Sequence, residues 1–390
     1  MEYRAFSLIF STFTTLRIRL VLTRTVGVPR MSVAGEQKTR YIYIFCVTLQ
    51  KCVKKCREET TVEVGKELLF LSEKDVKACI NMKKAIELCE KGERLTGQGK
   101  VVDDKFYLPI KEKLVFKPFA GYAKSGNIIA SKIFTLSPNN PRKYGLPASS
   151  SIGLIHDANT VMPIAVLEAS WLTGIKVGAS SAVAAKYLAK KGSSIVGMIG
   201  AGIQARSHLE GLNEVFKIKE VRVASLTKEE SERYAEEMSE RFKIKVVAVD
   251  SIQKAVKGAD IVVTVTTADE PLIKKESIEP GMLIIKIGSY REIDSGVITS
   301  VDKVIVDKWE YVSHRVRELA ELIDEGVIRR QNIYAEIPEI VAGKKSGREN
   351  DEESILYVAL GLGGDYATLF SYIYERALEL GVGQRLKLLG

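Results

Sequence analysis

Cysteine is scarce and confined. Of 390 residues five are cysteine, namely Cys46, Cys52, Cys56, Cys79 and Cys89, all in the first quarter of the chain. That distribution excludes a disulfide framework and fits a reducing compartment, so a cytoplasmic location is expected. The Cys46/Cys52/Cys56 spacing matches no zinc pattern and has no histidine beside it, so no metal is expected. Acid is short overall, with a net charge of +9. Residues 1–60 hold eleven Lys/Arg against four Glu, a net of +7, which leaves +2 for the rest. The body therefore carries no nucleic-acid footprint. No apolar run reaches the roughly 18 residues of a membrane span, and there is neither an internal repeat nor a low-complexity tract. Residues 1–66, rich in Arg, Thr and Ser, read as an extension, expected to be poorly ordered. It is either a targeting segment or an over-long gene model, and the body begins near Glu67.

What is present is an ordinary globular composition, 46% apolar and 27% charged, long enough for two domains. An apolar strand, Ile195–Ile199, leads into Gly200-Ala201-Gly202-Ile203-Gln204-Ala205, a G-x-G-x-x-A fingerprint. The first glycine allows a tight turn, the second lets backbone approach a pyrophosphate, and the small third residue lets the next helix pack on its strand. The phosphates then meet free N–H groups at a helix start. Strand-like and helix-like segments alternate from there to Thr266, which predicts a parallel sheet. The expected fold class is α/β, with a Rossmann NAD(P)-binding domain at 191–311. The second strand runs into Ser225-Leu226-Thr227-Lys228 without an acid for a ribose 2′-OH. Ser225, Thr227 and Lys228 suit a 2′-phosphate, so NADP is expected ahead of NAD; alternatively these residues only cap the next helix. His156 and His208 read as structural, with His208 solvent-facing.

The flanking segments predict a capping box at Ser72 and Asp75 that opens a helix, further helices at 82–95, 172–190, 312–324, 334–341 and 366–380, strands with glycine turns over 98–110 and 116–134, and strands at 149–157, 163–167, 284–288, 304–306 and 355–360. The helix at 172–190 is rich in small residues, which admit close approach by another helix or by the cofactor.

The run from Thr173 to Ala189 (TGIKVGASSAVAAKYLA) followed by the GAGIQA fingerprint resembles the ornithine cyclodeaminase/mu-crystallin family. So do Ser72–Val76, Pro138-Asn139, Gly145-Leu146-Pro147, Val306-Asp307 and the closing helix, over about Glu67 to Gly390. The resemblance implies a homodimer and a discontinuous α+β substrate-binding and dimerisation domain, residues 67–190 and 312–390, beside the Rossmann domain. It implies a small amino-acid or imine substrate. Members include cyclodeaminases, alanine dehydrogenases, ketimine reductases and dehydrogenases that release diaminopropionate; Ala342–Glu353 looks nearest the last.

The resemblance also assigns residues. Lys132, six before Pro138, matches the substrate-site lysine and would polarise or protonate the nitrogen; otherwise it is a solvated strand lysine. Lys176 stands where the family usually has a carboxylate-clamping arginine, and Lys105 replaces a second upstream arginine. Lysine keeps the charge but loses the bidentate fork. The loop Lys286–Asp294 is shorter than in cyclodeaminases, with Ser289 and Tyr290 in place of an aspartate, so Tyr290 enters as a catalytic candidate. Asp294 reads as an N-cap. Asp307 is substrate-binding or a cap. Thr266, Thr267 and Gly288 belong to the cofactor side. The expected activity is an NAD(P)-dependent amino-acid or imine oxidoreductase; the alternatives are an ornithine cyclodeaminase and a non-catalytic cofactor-dependent binder.

Overall fold

In the computed structural model, residues 62–389 apart from 112, 113 and 125 are described. The rest, including Cys46, Cys52, Cys56 and most of the expected extension, lie outside the described residues. Order begins before Glu67: Val62 is buried, and Lys66 O accepts from Leu388 N at 2.7 Å.

Period-two patterns build the first sheet from β1 (Glu67–Leu71), β2 (Val101–Lys105), β3 (Leu108–Lys111), β4 (Leu114–Ala123), β5 (Ile128–Leu136), β6 (Ser149–Asp157) and β7 (Pro163–Glu168). Short, almost wholly apolar runs build the second. These are β8 (Ile195–Ile199), β9 (Glu220–Ala224), β10 (Lys245–Ala248), β11 (Ile261–Thr264), β12 (Leu283–Ile287), β13 (Lys303–Val306), β14 (Ala335–Glu336) and β15 (Ile355–Ala359). The chain then returns to the first sheet as β16 (Gln384–Lys387). The first sheet runs β16-β1-β7-β6-β5-β4-β2, with β3 on β4, and is antiparallel except at β1/β7. The second runs β10-β9-β8-β11-β12-β15-β13-β14, parallel throughout.

The longer helices are α1 (Glu73–Cys79), α2 (Met82–Gly97), α3 (Ser170–Leu188), α4 (Ile203–Val215), α5 (Lys228–Phe242), α6 (Arg317–Asp324) and α7 (Gly363–Leu380). The Ser72/Asp75 capping box forms as expected. The small residues of α3 admit another helix. A Cβ on Gly178 would fall 2.2 Å from Ser207 O, and one on Gly211 2.6 Å from Gly178 O. This backbone contact between α3 and α4 fixes the helix that follows the glycine fingerprint.

Three expectations are corrected. β15 and β14 lie in the parallel sheet, so residues 312–390 do not all belong with the first sheet. β15 (ILYVA) is buried at every position, which suits a central parallel strand between β12 and β13. Residues 337–348 already touch α2 and α3, with Arg94 Nη1 donating to Val341 O at 2.9 Å and Arg348 N to Tyr187 O at 3.0 Å, and α7 then packs on the first sheet. The segment expected as one helix over 334–341 is β14 followed by a short helix, Ile337–Val341. The helix expected over 312–324 is two, Trp309–Val312 and α6, because Val316 is extended at φ −90° and ψ 111°.

Candidate active site

The glycine turn between β8 and α4 is shaped for close approach. Gly200 has φ +106°, and a Cβ there would fall 2.8 Å from Val265 O, so only glycine fits. Around a Cβ on Gly202, by contrast, there is open space. No side chain caps α4, leaving its first N–H groups for an anion. Ala201 O is held by Arg206 Nη1 at 2.6 Å, and Ala205 O by Tyr234 Oη at 3.1 Å. Ile203 and Leu226 are 77% and 96% exposed, two apolar side chains bracketing the turn. The donor set, the open cradle and the bare apolar flanks fit a dinucleotide.

At the end of β9, Thr227 caps α5 by accepting from Glu230 N, and Lys228 pairs with Glu232 at the surface. Ser225 Oγ lies 3.2 Å from Glu230 Oε2. The acid absent from the strand end thus arrives from the first turn of α5, which a linear reading of the strand end overlooks.

Thr266 N and Oγ1 donate to Glu292 Oε1 at 2.6 and 2.8 Å; Thr267 is exposed. Burial raises Glu292 to about 7, against hydrogen bonds from Thr266 and the nearby Lys286 ammonium. Glu318 accepts from Glu292 N at 2.8 Å and faces Lys286 at 3.6 Å. Gly288 has φ +93°, and its carbonyl accepts from Lys286 Nζ at 2.7 Å. Asp294 caps the helix Ser295–Ser300. Asp294 is thereby taken up as a helix cap, and Glu292 is buried with Oε1 held by Thr266 and Oε2 without a hydrogen-bond partner. His208 is buried rather than solvent-facing. Its Nδ1 donates to Gln204 O at 2.7 Å, which leaves Nε2 to accept from Ser181 Oγ at 2.9 Å.

Beside the C-terminal ends of β12, β13 and β15, Lys105, Lys132, Lys176 and Asp307 gather around the segment Leu360–Tyr366. Lys132, on β5, is 7% exposed. It donates to Tyr366 Oη at 2.8 Å and Thr173 Oγ1 at 3.3 Å. Lys105 Nζ donates to Leu360 O at 2.7 Å and Gly361 O at 3.3 Å, over the rings of Phe119 and Tyr311. Burial drives its pKa well down; Asp307 opposes this, while Lys176, Lys117 and Lys132 reinforce it. Asp307 is buried and caps backbone, accepting from Leu360 N at 2.6 Å and Lys308 N at 2.7 Å, and from Gly361 N.

Lys176 is not a free clamp. It forms an ion pair of 2.8 Å with Asp365, both side chains 1% exposed. Burial works against its charge, but Asp365 outweighs it and holds the ammonium protonated. Asp365 lies far away in sequence, so its pairing with Lys176 was not legible. The pair borders a cavity of about 80 Å³ with Glu93, Gly288, Asp307 and Tyr357, room for a few waters. Burial, reinforced by Asp365, pushes Glu93 well up, and both its carboxyl oxygens lack a hydrogen-bond partner. Tyr290 is not among the residues lining this cavity. Burial and then Asp269 raise its hydroxyl, Arg317 opposes them, and it makes no hydrogen bond to Lys132 among the described residues.

Sequence reasoning missed Tyr366, Thr173, Lys117 and Arg315. Lys117 and Phe119 alternate on β4, and the register pairs Phe119 with Lys132 and Lys117 with Phe134. Lys117 and Lys132 therefore share a face, a fact that needs the hairpin register to be seen.

Comparison with known proteins agrees with this geometry. The model of the ornithine cyclodeaminase/mu-crystallin family matches residues 66–381. An alanine dehydrogenase of Archaeoglobus fulgidus is 32% identical, over 82% of this chain and 98% of its own. A Delta(1)-pyrroline-2-carboxylate reductase of Bacillus cereus is 30% identical, over 82% of this chain and 100% of its own. Among solved structures, Thermococcus litoralis Delta(1)-pyrroline-2-carboxylate reductase, in complex with NADH and L-proline, superposes with a TM-score of 0.78 at 35% identity. It covers 81% of this chain and 99% of its own. On these grounds the chain belongs to the ornithine cyclodeaminase/mu-crystallin family.

Proposed function

We propose that this protein is an NAD(P)-dependent oxidoreductase that interconverts a small amino acid and its imine or ketimine. The observation that carries the reading is the Lys132 ammonium, nearly buried and unpaired by any acid among the described residues, held by Tyr366 and Thr173 beside the strand ends. Relatives named as an alanine dehydrogenase and pyrroline-2-carboxylate reductases support it.

Gly200–Ala205 would hold the pyrophosphate, Ser225 and Glu230 the ribose, and Thr266 and Gly288 the nicotinamide side. A bound nicotinamide dinucleotide supplies or accepts the hydride. Lys132 binds the nitrogen and carboxylate end of the substrate through its N–H donors, and Tyr366 fixes the direction of that ammonium. Lys105, whose proton is loosened by burial and by its cationic neighbours, is the group suited to exchange a proton with the nitrogen. Lys176 neutralises Asp365 and so keeps a bare carboxylate away from the substrate's own. Tyr290 forms part of the outer wall. Glu230 favours NADH over NADPH, since a carboxylate accepts from a ribose hydroxyl and repels a phosphate. A cytoplasmic homodimer completes the reading.

The test follows oxidation of NADH and of NADPH in the presence of pyruvate with ammonia or methylamine, and of cyclic ketimines. Net oxidation, faster with NADH, is expected. Proline and ammonia made from ornithine with no net change in cofactor would instead make this protein a cyclodeaminase. Tight cofactor binding without any turnover would leave it a binder.

A further inference from the structure

Three cations meet on the substrate face with no acid among the described residues to answer them. Lys117 and Lys132 stand over the same ring, their Nζ atoms 5.9 and 5.4 Å from the centre of Phe134. Lys117 also lies 5.3 Å from the Tyr107 ring. Arg315 enters from the turn before α6. Its Nη2 donates to Lys105 O at 3.2 Å, while its Nη1 is buried without a partner. Burial, then Arg315, then Lys132 lower the Lys117 ammonium to about 8.

Other cations nearby are answered. Lys176 has Asp365, Lys308 has Asp103 at 2.8 Å, and Lys105 has two carbonyls. Like charges gathered in a half-buried place raise the energy of the empty site and are relieved by an anion. A substrate with one carboxylate, bound through Lys132, satisfies one of the three. Lys117 and Arg315 remain. The guanidinium offers the planar fork that carboxylates accept, and Phe134, beneath both ammonium groups, gives an apolar floor for a short carbon chain.

We propose that Lys117 and Arg315 form a second anion subsite, and that the substrate is an imino or oxo dicarboxylate with its reacting end at Lys132 and its distal carboxylate between Lys117 and Arg315. The assignment of the reacting end rests on the reductase reading; the subsite itself does not.

Two measurements separate them. The first is calorimetric binding of 2-oxoglutarate and of 2-oxobutyrate to the full chain, with and without NADH. The expected result is dicarboxylate affinity higher by at least about tenfold, a preference lost in Lys117→Met and in Arg315→Gln and largely kept in Lys117→Arg. Equal affinity for the two acids in the unaltered protein, or a preference surviving both neutral substitutions, overturns the subsite, and the first of these requires no variant to fold. The second is turnover of the same two acids with ammonia and NADH, read as the ratio of kcat/KM. A ratio favouring the dicarboxylate, falling by at least about tenfold in Lys117→Met, supports the proposal. Turnover that favours the monocarboxylate overturns the proposal and leaves the reductase intact. Absence of turnover with a dicarboxylate binding preference abolished by the substitutions keeps the subsite and removes the reductase reading.

Discussion

At the scale of single residues, Lys132 and Glu292 carry opposite kinds of charge problem. Lys132 is nearly buried and donates to Tyr366 and Thr173, with no acid paired to it among the described residues. Lys132→Ala removes the donor that meets the substrate while touching nothing in the glycine turn. The expected outcome is a loss of kcat/KM of about 10²-fold or more with NADH affinity retained by fluorescence titration; retained turnover would remove Lys132 from the site. Glu292 is a carboxyl held at about 7 against an ordinary value of 4.5. Between those values the folded protein holds a proton that the unfolded chain has released, so stability falls as pH rises through that window. The whole difference is on the order of 3 kcal/mol. His208, buried and lowered to about 4, acts oppositely, because the unfolded chain takes up the proton first and stability is lost as pH falls from about 6.5. Thermal melts from about pH 5 to 8 should therefore show Glu292→Gln gaining on the unaltered protein as pH rises. A constant offset between the two would mean that Glu292 is ionised throughout.

At the scale of elements, the contact of α3 with α4 sets where the pyrophosphate helix begins, and it rests on missing side chains. A Cβ at position 178 meets backbone, Ser207 O at 2.2 Å, rather than a movable side-chain tip. Gly178→Ala must push the two helices apart, at a cost of about 3 kcal/mol. A lowered melting temperature with weakened NADH binding is expected, whereas an unchanged melting temperature would show that the helices have slack. The small residues of α3 and the G-x-G-x-x-A turn were legible because both report local backbone demands. So were the Ser72 capping box and the Asp294 cap, which are settled within three residues of chain. The sheet that β15 joins was not legible. ILYVA says that a strand is buried, but its neighbours β12 and β13 lie elsewhere in the chain. Lys176 shows the same limit inside the site: its position next to the fingerprint was readable, but Asp365, which decides what its charge does, comes from the far end. Lys117 was hidden because its facing depends on where the β4–β5 hairpin turns.

At the scale of the whole molecule, the first sheet has one face that none of the described helices covers. The inner face carries Gly121 and Gly153, whose hydrogens point at Gly363 O and at the Phe370 ring of α7, together with Lys132. The opposite face carries Phe70, Val166 and Leu154 in one cross-strand row and Ile152, Ile133 and Pro118 in another. A sheet face left to water alternates apolar-in with polar-out, and this one does not. Phe70 and Ile152 remain 37% and 43% exposed on it, an apolar stretch of the kind that marks an interaction surface. A second copy of the chain, laid on this face, would bury both rows, and each isoleucine or phenylalanine so covered contributes about 2 kcal/mol. Light scattering on the full chain should give twice the protomer mass. Ile152→Asp places a carboxylate in the middle of the contact and should yield a monomer with unchanged far-ultraviolet circular dichroism. Because β6 presents Ile152 outward and Gly153 inward beside Lys132, loss of the partner is expected to loosen the strand under the substrate ammonium and raise KM. A monomeric unaltered protein would overturn the dimer, and a dimer indifferent to Ile152→Asp would place its contact elsewhere.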